Sequence, residues 1–393
     1  MAATGLDGFE IRISSNQKGK GLFAMKSFRT RDVILEEDPL VSCQFAWNAA
    51  YSYLACDHCM RPLETPEQNA RRLACKPDIV LPHADCYEIN LANITSCEQC
   101  GIQYCSEDCR KEAFNTYHSL LCYQASDEQH PIMVLLDVWN ELLRQMHLPP
   151  ETTSILLIAR ILALIQQSSN PEATIAKVKE FCHRTVNEDA ELTHKLLGEQ
   201  FSQQLATLRD LMSNVVSGDH VQQFLTQEGF NSLMALVGTN GQGIGSSPLS
   251  MWVKNCLERT MSDDERAQLE LFIDRLYQKV EEESGEFINT EGSGLFRLQS
   301  ACNHSCDPNA EVCFPYGNHR LQLRATKPLM PGDEICISYL DECSLQRSRH
   351  SRQKELSQNY LFLCWCQRCV EEAGQPECTS EEEMSDNEPD DND

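Results

Sequence analysis

Cys56-x-x-Cys59, Cys97-x-x-Cys100, Cys105-x3-Cys109 and His118-x3-Cys122 give the chain seven thiols and one imidazole in four close pairs. That is enough to close two tetrahedral zinc sites. Cys105 and Cys109, like His118 and Cys122, stand four positions apart, which puts each pair on one face of a helix. The first pair is followed by a 37-residue gap carrying Cys75, His83 and Cys86. His83 and Cys86 are therefore alternative ligands for the first ion. Further on, Cys364-x-Cys366-x-x-Cys369 offers three thiols that need a fourth partner. Sulfur-rich sets with four ligands leave zinc no open position, so the expected metal is structural and a metalloenzyme is disfavoured. Different chemistry is packed into Cys302–Asn309, read Cys-Asn-His-Ser-Cys-Asp-Pro-Asn, where an amide and an imidazole adjoin at Asn303 and His304. Tyr339 ends the stretch Gly332–Tyr339, and its hydroxyl can both donate and accept a hydrogen bond.

Short strands must carry these groups. Phe9 to Ile13 alternates, Lys18-Gly19-Lys20-Gly21 turns the chain before Leu22-Phe23-Ala24, and Val33-Ile34-Leu35 is closed by Asp38-Pro39. The glycines at 19 and 21 let the backbone approach a ligand closely. Arg320 to Ala325 and Ile335 to Tyr339 read as two more strands. Between the two strand regions the pattern is helical. Ile132, Leu135, Leu136, Trp139, Leu142, Leu143 and Met146 recur at three and four, and Ile155–Ile165, Phe201–Val216 and Leu269–Val280 behave alike. These faces are expected to be core. The run Gly238–Gly245 lacks the strand and βαβ context of a nucleotide fingerprint, and a flexible connection is expected.

The Lys18–Ala24, Cys302–Asn309 and Gly332–Tyr339 stretches, in this order, resemble the SET domain of protein lysine methyltransferases, and the cysteine pairs add a MYND zinc module. Together the layout resembles the SET-and-MYND family of these enzymes, from about residue 10 to Cys369. The resemblance implies an α+β chain: a β-rich SET domain split by a MYND zinc module and helical insertions, with a post-SET zinc motif and a disordered acidic tail. The implied divisions are an N-terminal SET lobe at 1–55, the MYND-type module with its insertion at 56–122, a helical insertion at 123–290, the SET core at 291–342, the post-SET motif at 343–370 and the tail at 371–393. Ligand pairs alternate in MYND modules. This implies that Cys56, Cys59, Cys105 and Cys109 hold one zinc and Cys97, Cys100, His118 and Cys122 a second. The family supplies Cys306 as fourth ligand to Cys364, Cys366 and Cys369, giving three ions in all.

By the same resemblance the cofactor is S-adenosylmethionine, held by Lys18, Gly19, Lys20, Gly21, Asn303, His304, Tyr339 and Phe362. Arg and Asn stand at the two lysine positions in relatives. Tyr339 is implied as the catalytic hydroxyl and Tyr360 as a second tyrosine of the lysine channel. MYND modules commonly bind proline-rich peptides, so a peptide partner is a further expectation. Relatives also continue into a helical C-terminal domain, and the substrate groove is expected to be more open on that side.

The formal charge of -26 and pI near 4.8 disfavour nucleic acid and anionic membranes as partners. They favour basic proteins, with histone tails and ribosomal proteins among them. The basic cluster Arg347, Arg349, His350, Arg352 and Lys354 is read as a solvated helix balancing that charge. Ile155–Ile165 is broken by Arg160 and too short for a bilayer. The first residues lack the basic and apolar regions of a signal peptide, which predicts a nuclear and cytoplasmic protein with reduced thiols. Nothing in the sequence requires a dimer, and a monomer is expected. The function expected is methyl transfer to protein lysine. Its rival is an inactive, zinc-stabilised protein-binding adaptor, which would usually have lost one of Asn303, His304 and Tyr339.

Overall fold

A computed structural model describes residues 8–14, 19–124, 126–127, 129–146, 154–181, 201–285 and 288–374. Two hairpin strands open it, β1 (Phe9–Ile13) and β2 (Lys20–Ala24), paired antiparallel with Ile13 opposite Lys20. Next come β3 (Val33–Glu37) and β4 (Val41–Gln44), and the short pair β5 (Thr95–Ser96) and β6 (Gln103–Tyr104). The later strands are β7 (Gly241–Ser246), β8 (Thr290–Leu295), β9 (Asn303–His304), β10 (Ala310–Cys313), β11 (Leu321–Ala325) and β12 (Glu334–Ile337). They form sheets ordered β1-β2-β12-β9, β10-β11-β3 and β4-β8-β7, besides the β5-β6 ribbon. Each of the three larger sheets joins strands from both ends of the sequence.

Leu22, Leu35, Phe296, Leu321, Leu323 and Ile335 pack into the core under these sheets. The expected helices form over Pro131–Met146, Ser154–Gln167, Phe201–Val215 and Asp263–Ser284. The first three share a core with the helix Gln227–Asn240 through Leu135, Trp139, Ile158, Leu162, Leu208 and Phe230. Burying such side chains contributes about 1.5–3 kcal/mol apiece before entropy is charged against it. None of the helices of the described residues is long and apolar enough to cross a membrane.

Three corrections follow. Gly238–Gly245 is no loose connection: it spans the end of the Gln227–Asn240 helix and β7, which pairs with β8 over six residues. The long gap after Cys59 is a docked element. The indole N–H of the fully buried Trp252 donates to the Pro82 and His83 carbonyls at 3.1 Å each, and Asn255 Nδ2 donates to the Cys86 carbonyl at 2.7 Å. His83 and Cys86 are thereby held on the helix Pro248–Glu258 and stand outside the clusters of ligand atoms found among the described residues. Thirdly, the chain is helical over Gln367–Glu371 and Glu372–Gly374, where the tail was expected from residue 371. Residues 375–393 lie outside the described residues.

Arg160, which interrupts an apolar helix in the sequence, is 3% exposed. Its guanidinium reaches Asp57 Oδ1 at 2.7 Å, the Asp57 carbonyl at 3.0 Å and the Ser42 carbonyl at 2.5 Å, and lies over the Tyr117 ring. One buried cation thus ties the helical insertion to β4 and to the cysteine module. A buried charge persists only when paired and hydrogen-bonded in this way.

Candidate active site and metal centres

The chain crosses itself where β9 runs parallel to β12, with Asn303 opposite Cys336 and His304 opposite Ile337. Asn309 sews the crossing. Its Nδ2 donates to the Glu334 carbonyl at 2.8 Å, and its Oδ1 accepts from the Cys336 N–H at 2.8 Å. Tyr339 follows β12 and is held at three points. Its N–H donates to His304 Nδ1 at 2.9 Å, its carbonyl accepts from the Tyr360 hydroxyl at 3.2 Å, and its own hydroxyl donates to the Cys302 carbonyl at 2.7 Å. With its proton directed at a carbonyl, that phenol oxygen keeps its lone pairs for another donor. Burial raises the Tyr360 pKa, so this hydroxyl stays protonated at working pH.

Tyr360 ends the helix Arg349–Tyr360, and Leu361 then turns the chain in the left-handed region at φ 59°. For a bulky residue this backbone is costly. It brings both rings of Tyr360 and Phe362 to Tyr339, with centroids 4.9 and 6.3 Å away. On the opposite wall, Asn303 Nδ2 donates to the Lys20 carbonyl at 3.0 Å and to Glu334 Oε1 at 2.7 Å. A Cβ at Gly21 would sit 2.8 Å from the Phe23 ring, 3.0 Å from Glu334 Oε1 and 3.2 Å from Asn303 Nδ2, so β2 passes close to these side chains. Gly19 adopts φ 77°, again a glycine conformation.

The Lys20 ammonium donates to the Glu180 carbonyl at 2.8 Å, and Arg297 pairs with the Glu180 carboxylate. A cofactor contact by the Lys20 side chain, which the resemblance implies, would compete with this bond. Lys18 lies outside the described residues. The His304 side chain makes contacts within the protein. Because Nδ1 accepts from Tyr339, the neutral ring carries its proton on Nε2, which faces Cys306 Sγ at 3.4 Å. The imidazole bridges the tyrosine backbone and a thiol.

All twelve expected ligands come together, in the expected groups of four. Cys56, Cys59, Cys105 and Cys109 form one, Cys97, Cys100, His118 and Cys122 the second, and Cys306, Cys364, Cys366 and Cys369 the third, with ligand atoms within 4.8 Å of one another in each. Sulfur atoms bound tetrahedrally at about 2.3 Å from zinc stand about 3.8 Å apart. Here Cys59 and Cys105 are 3.5 Å apart, Cys97 and Cys122 3.7 Å, and Cys306 and Cys364 3.9 Å. Spacing and ligand type both fit, and each cluster can hold a zinc ion.

The third cluster has a charged surround that the sequence did not disclose. Arg352, expected in a solvated basic helix, is 1% exposed. It reaches Cys369 Sγ at 3.9 Å and Glu372 Oε2 at 2.5 Å. Four thiolates on a divalent ion carry a net charge of about -2, and a guanidinium beside them offsets it. The neighbouring Arg368 donates to the Cys306 carbonyl at 3.2 Å.

Sequence reasoning also missed one wall of the cleft. A cavity of about 240 Å³ is lined by Tyr339 and Tyr360 together with Asn240, Gln242, Gly243 and Gln299. Glycine alternates with Gln242, Ile244 and Ser246 along β7, and that period of two was the available signal.

A β-rich core crossed by its own chain, fed by a glycine-lined hairpin strand and stapled by cysteine clusters, defines the SET class of fold. The sequence matches the SET domain family over residues 19–340. The chain belongs to the SET domain family, in its SET-and-MYND branch. It is 49% identical over 376 residues to the protein-lysine N-trimethyltransferase SMYD5 of Danio rerio, covering 95% of this chain and 90% of that one. The human protein of the same name is 49% identical over 375 residues, covering 95% and 89%. Human N-lysine methyltransferase SMYD2 is 27% identical over 383 residues, covering 94% of this chain and 62% of its own length.

Proposed function

We propose that the protein transfers methyl groups from S-adenosylmethionine to lysine side chains of basic proteins, histone tails and ribosomal proteins among them. The observation that carries this reading is Tyr339, held at its N–H, carbonyl and hydroxyl on the wall of the 240 Å³ cavity that Tyr360 shares. Relatives named for lysine methylation, at 49% identity over 95% of the chain, support the same reaction.

Bound S-adenosylmethionine supplies a methyl carbon already activated by a positive sulfonium. The lysine must arrive as an amine, having lost its proton to solvent. The amine lone pair would take that methyl, and the cofactor would leave as a neutral thioether. The protein therefore needs no acid or metal at the reacting atoms. Its work is alignment and exclusion of water. The Tyr339 oxygen, with its proton already donated, accepts an N–H of the amine and weak CH···O contacts from the methyl. Gly21 and Asn303 on one wall and Phe362 on the other are proposed to hold the cofactor.

The charge of -26 steers basic substrates toward the protein. We further assign it to nucleus and cytoplasm as a monomer, with the cysteine module at 56–122 open to a peptide partner. Calorimetry with S-adenosylmethionine, followed by transfer of labelled methyl to core histones and ribosomal proteins, tests the reading. Saturable cofactor binding with label on lysine is the expected result. Absence of cofactor binding by zinc-replete protein would leave the adaptor reading instead.

A further inference from the structure

Cys86 and Cys256 meet where the insertion docks on the helix Pro248–Glu258, away from the metal clusters and the cleft. One face of that helix carries Trp252, Asn255 and Cys256, and Arg259 continues it just past the last turn. These positions lie three or four apart and share a side. The whole face meets residues 82–86. Trp252 and Asn255 donate to the carbonyls of Pro82, His83 and Cys86. Arg259 donates to Asp85 Oδ2 at 2.8 Å and to Cys86 Sγ at 3.8 Å. Cys256 lies on the same face, within hydrogen-bonding reach of the Cys86 thiol, and Cys86 packs against the core cluster that contains it. Both sulfurs are free thiols outside the three ligand clusters. Their exposure differs: Cys86 is half-buried, whereas Cys256 is fully buried. Burial, and after it the neighbouring thiol, pushes the Cys256 pKa up to about 12. An oxidant arriving from solvent therefore reaches Cys86 first, with a second thiol already beside it. An accessible sulfur next to a resolving one is the arrangement of a redox sensor.

We propose that Cys86 and Cys256 form a reversible redox pair, which a peroxide closes into a disulfide that ties the insertion to the helix Pro248–Glu258. The Cys86 thiolate attacks one peroxide oxygen and the O–O bond breaks. Hydroxide leaves and takes up a proton as water, and Cys86 becomes a sulfenic acid. The Cys256 sulfur then forms the S–S bond as the S–O bond breaks, and a second water carries away the Cys256 proton. Two thiols and one peroxide thus give one disulfide and two waters, and a dithiol reverses the oxidation by exchange. The inference is independent of the methyltransferase reading. The bond would tether the stretch between Cys59 and Cys97 to the helix that follows β7, the strand carrying Gln242 and Gly243 on the cavity wall.

The test treats zinc-replete, full-length protein with hydrogen peroxide, removes the excess with catalase, and blocks the remaining thiols with N-ethylmaleimide after unfolding. Mass spectrometry of the unreduced digest should show the Cys86 and Cys256 peptides joined, and dithiothreitol should return both to the thiol pool. Zinc content, measured on the same sample, should stay at three ions. In Cys86→Ser, Cys256 should come through the same dose as an unmodified thiol, because it is buried. In Cys256→Ser, dimedone should trap Cys86 as a sulfenic acid that finds no partner. The oxidised wild-type protein should need more denaturant to unfold, since a crosslink across so long a loop constrains the unfolded chain. Dithiothreitol should reverse that shift, and Cys256→Ser should not show it. Pairing of Cys86 with another cysteine would overturn the proposal. So would oxidation of Cys86 to a sulfinic acid while Cys256 stays a thiol, or loss of zinc before the bond forms.

Discussion

The three cysteine clusters have similar ligands and very different leverage. The first two draw every ligand from residues 56–122, and the element they stabilise is the cysteine module itself. The third takes Cys306 from just beyond the crossing and the rest from Cys364–Cys369, nearly 60 residues later. Asn303 stands three residues before its first ligand, and Tyr360 and Phe362 stand shortly before its second. His304 bridges Cys306 and the Tyr339 backbone. The same coordination chemistry therefore builds a module in one region and fixes both walls of a site in the other. What a metal site does depends on which segments it joins, more than on what its ligands are.

Separating chemistry from metal sharpens this contrast most. Tyr339→Phe removes one hydroxyl and no ligand. We expect zinc content and cofactor affinity to match wild type while the single-turnover rate falls two to three decades, since such an interaction in the transition state is worth roughly 2 to 4 kcal/mol. A wild-type rate would dismiss Tyr339 as the catalytic residue.

On the other side of the comparison, Arg160→Met strips the buried cation from Asp57, the residue between the first cluster's Cys56 and His58. Removing one partner of a buried pair costs about 3–5 kcal/mol. Denaturant unfolding should show a loss of that order, with methyl transfer per folded molecule nearly unchanged. A drop in transfer without a loss of stability would mean that the module communicates with the site, and the contrast would fail.

The smallest effect belongs to the acidic end. Residues 377–393 carry nine acidic side chains. Deleting them should weaken capture of a basic peptide at low salt about twofold and change nothing measurable at high salt, where the Debye length falls to about 3 Å. Equal loss at both would indicate a specific contact instead of steering.

The parts of this architecture legible in sequence are those whose physics is local. Cys-x-x-Cys and Cys-x3-Cys place two ligands within a turn, and helical periodicity reports one buried face. The alternation of pairs and the recruitment of Cys306 join distant segments, and they were reached through family resemblance only. Arg352 and Arg160 were misjudged or passed over for a common reason. A charge reads as solvated until its partners are known, and Glu372, Cys369 and Asp57 come from other elements. β7 was misread because glycine marks turns far more often than strands. Its pairing with β8, which no local pattern contains, decides the matter.

The most direct measurement is zinc content and S-adenosylmethionine affinity on one sample of Cys306→Ser. A hydroxyl at neutral pH is a far poorer zinc ligand than a thiolate. Bound zinc should fall from three per chain to two, and cofactor affinity should fall with it by more than about tenfold, the range seen when metal-site geometry is lost. Cys97→Ser, measured alongside, should also lose one zinc yet keep cofactor affinity within about twofold. A Cys306→Ser protein that retains three zinc ions, or that loses one and binds cofactor as wild type does, would contradict the account.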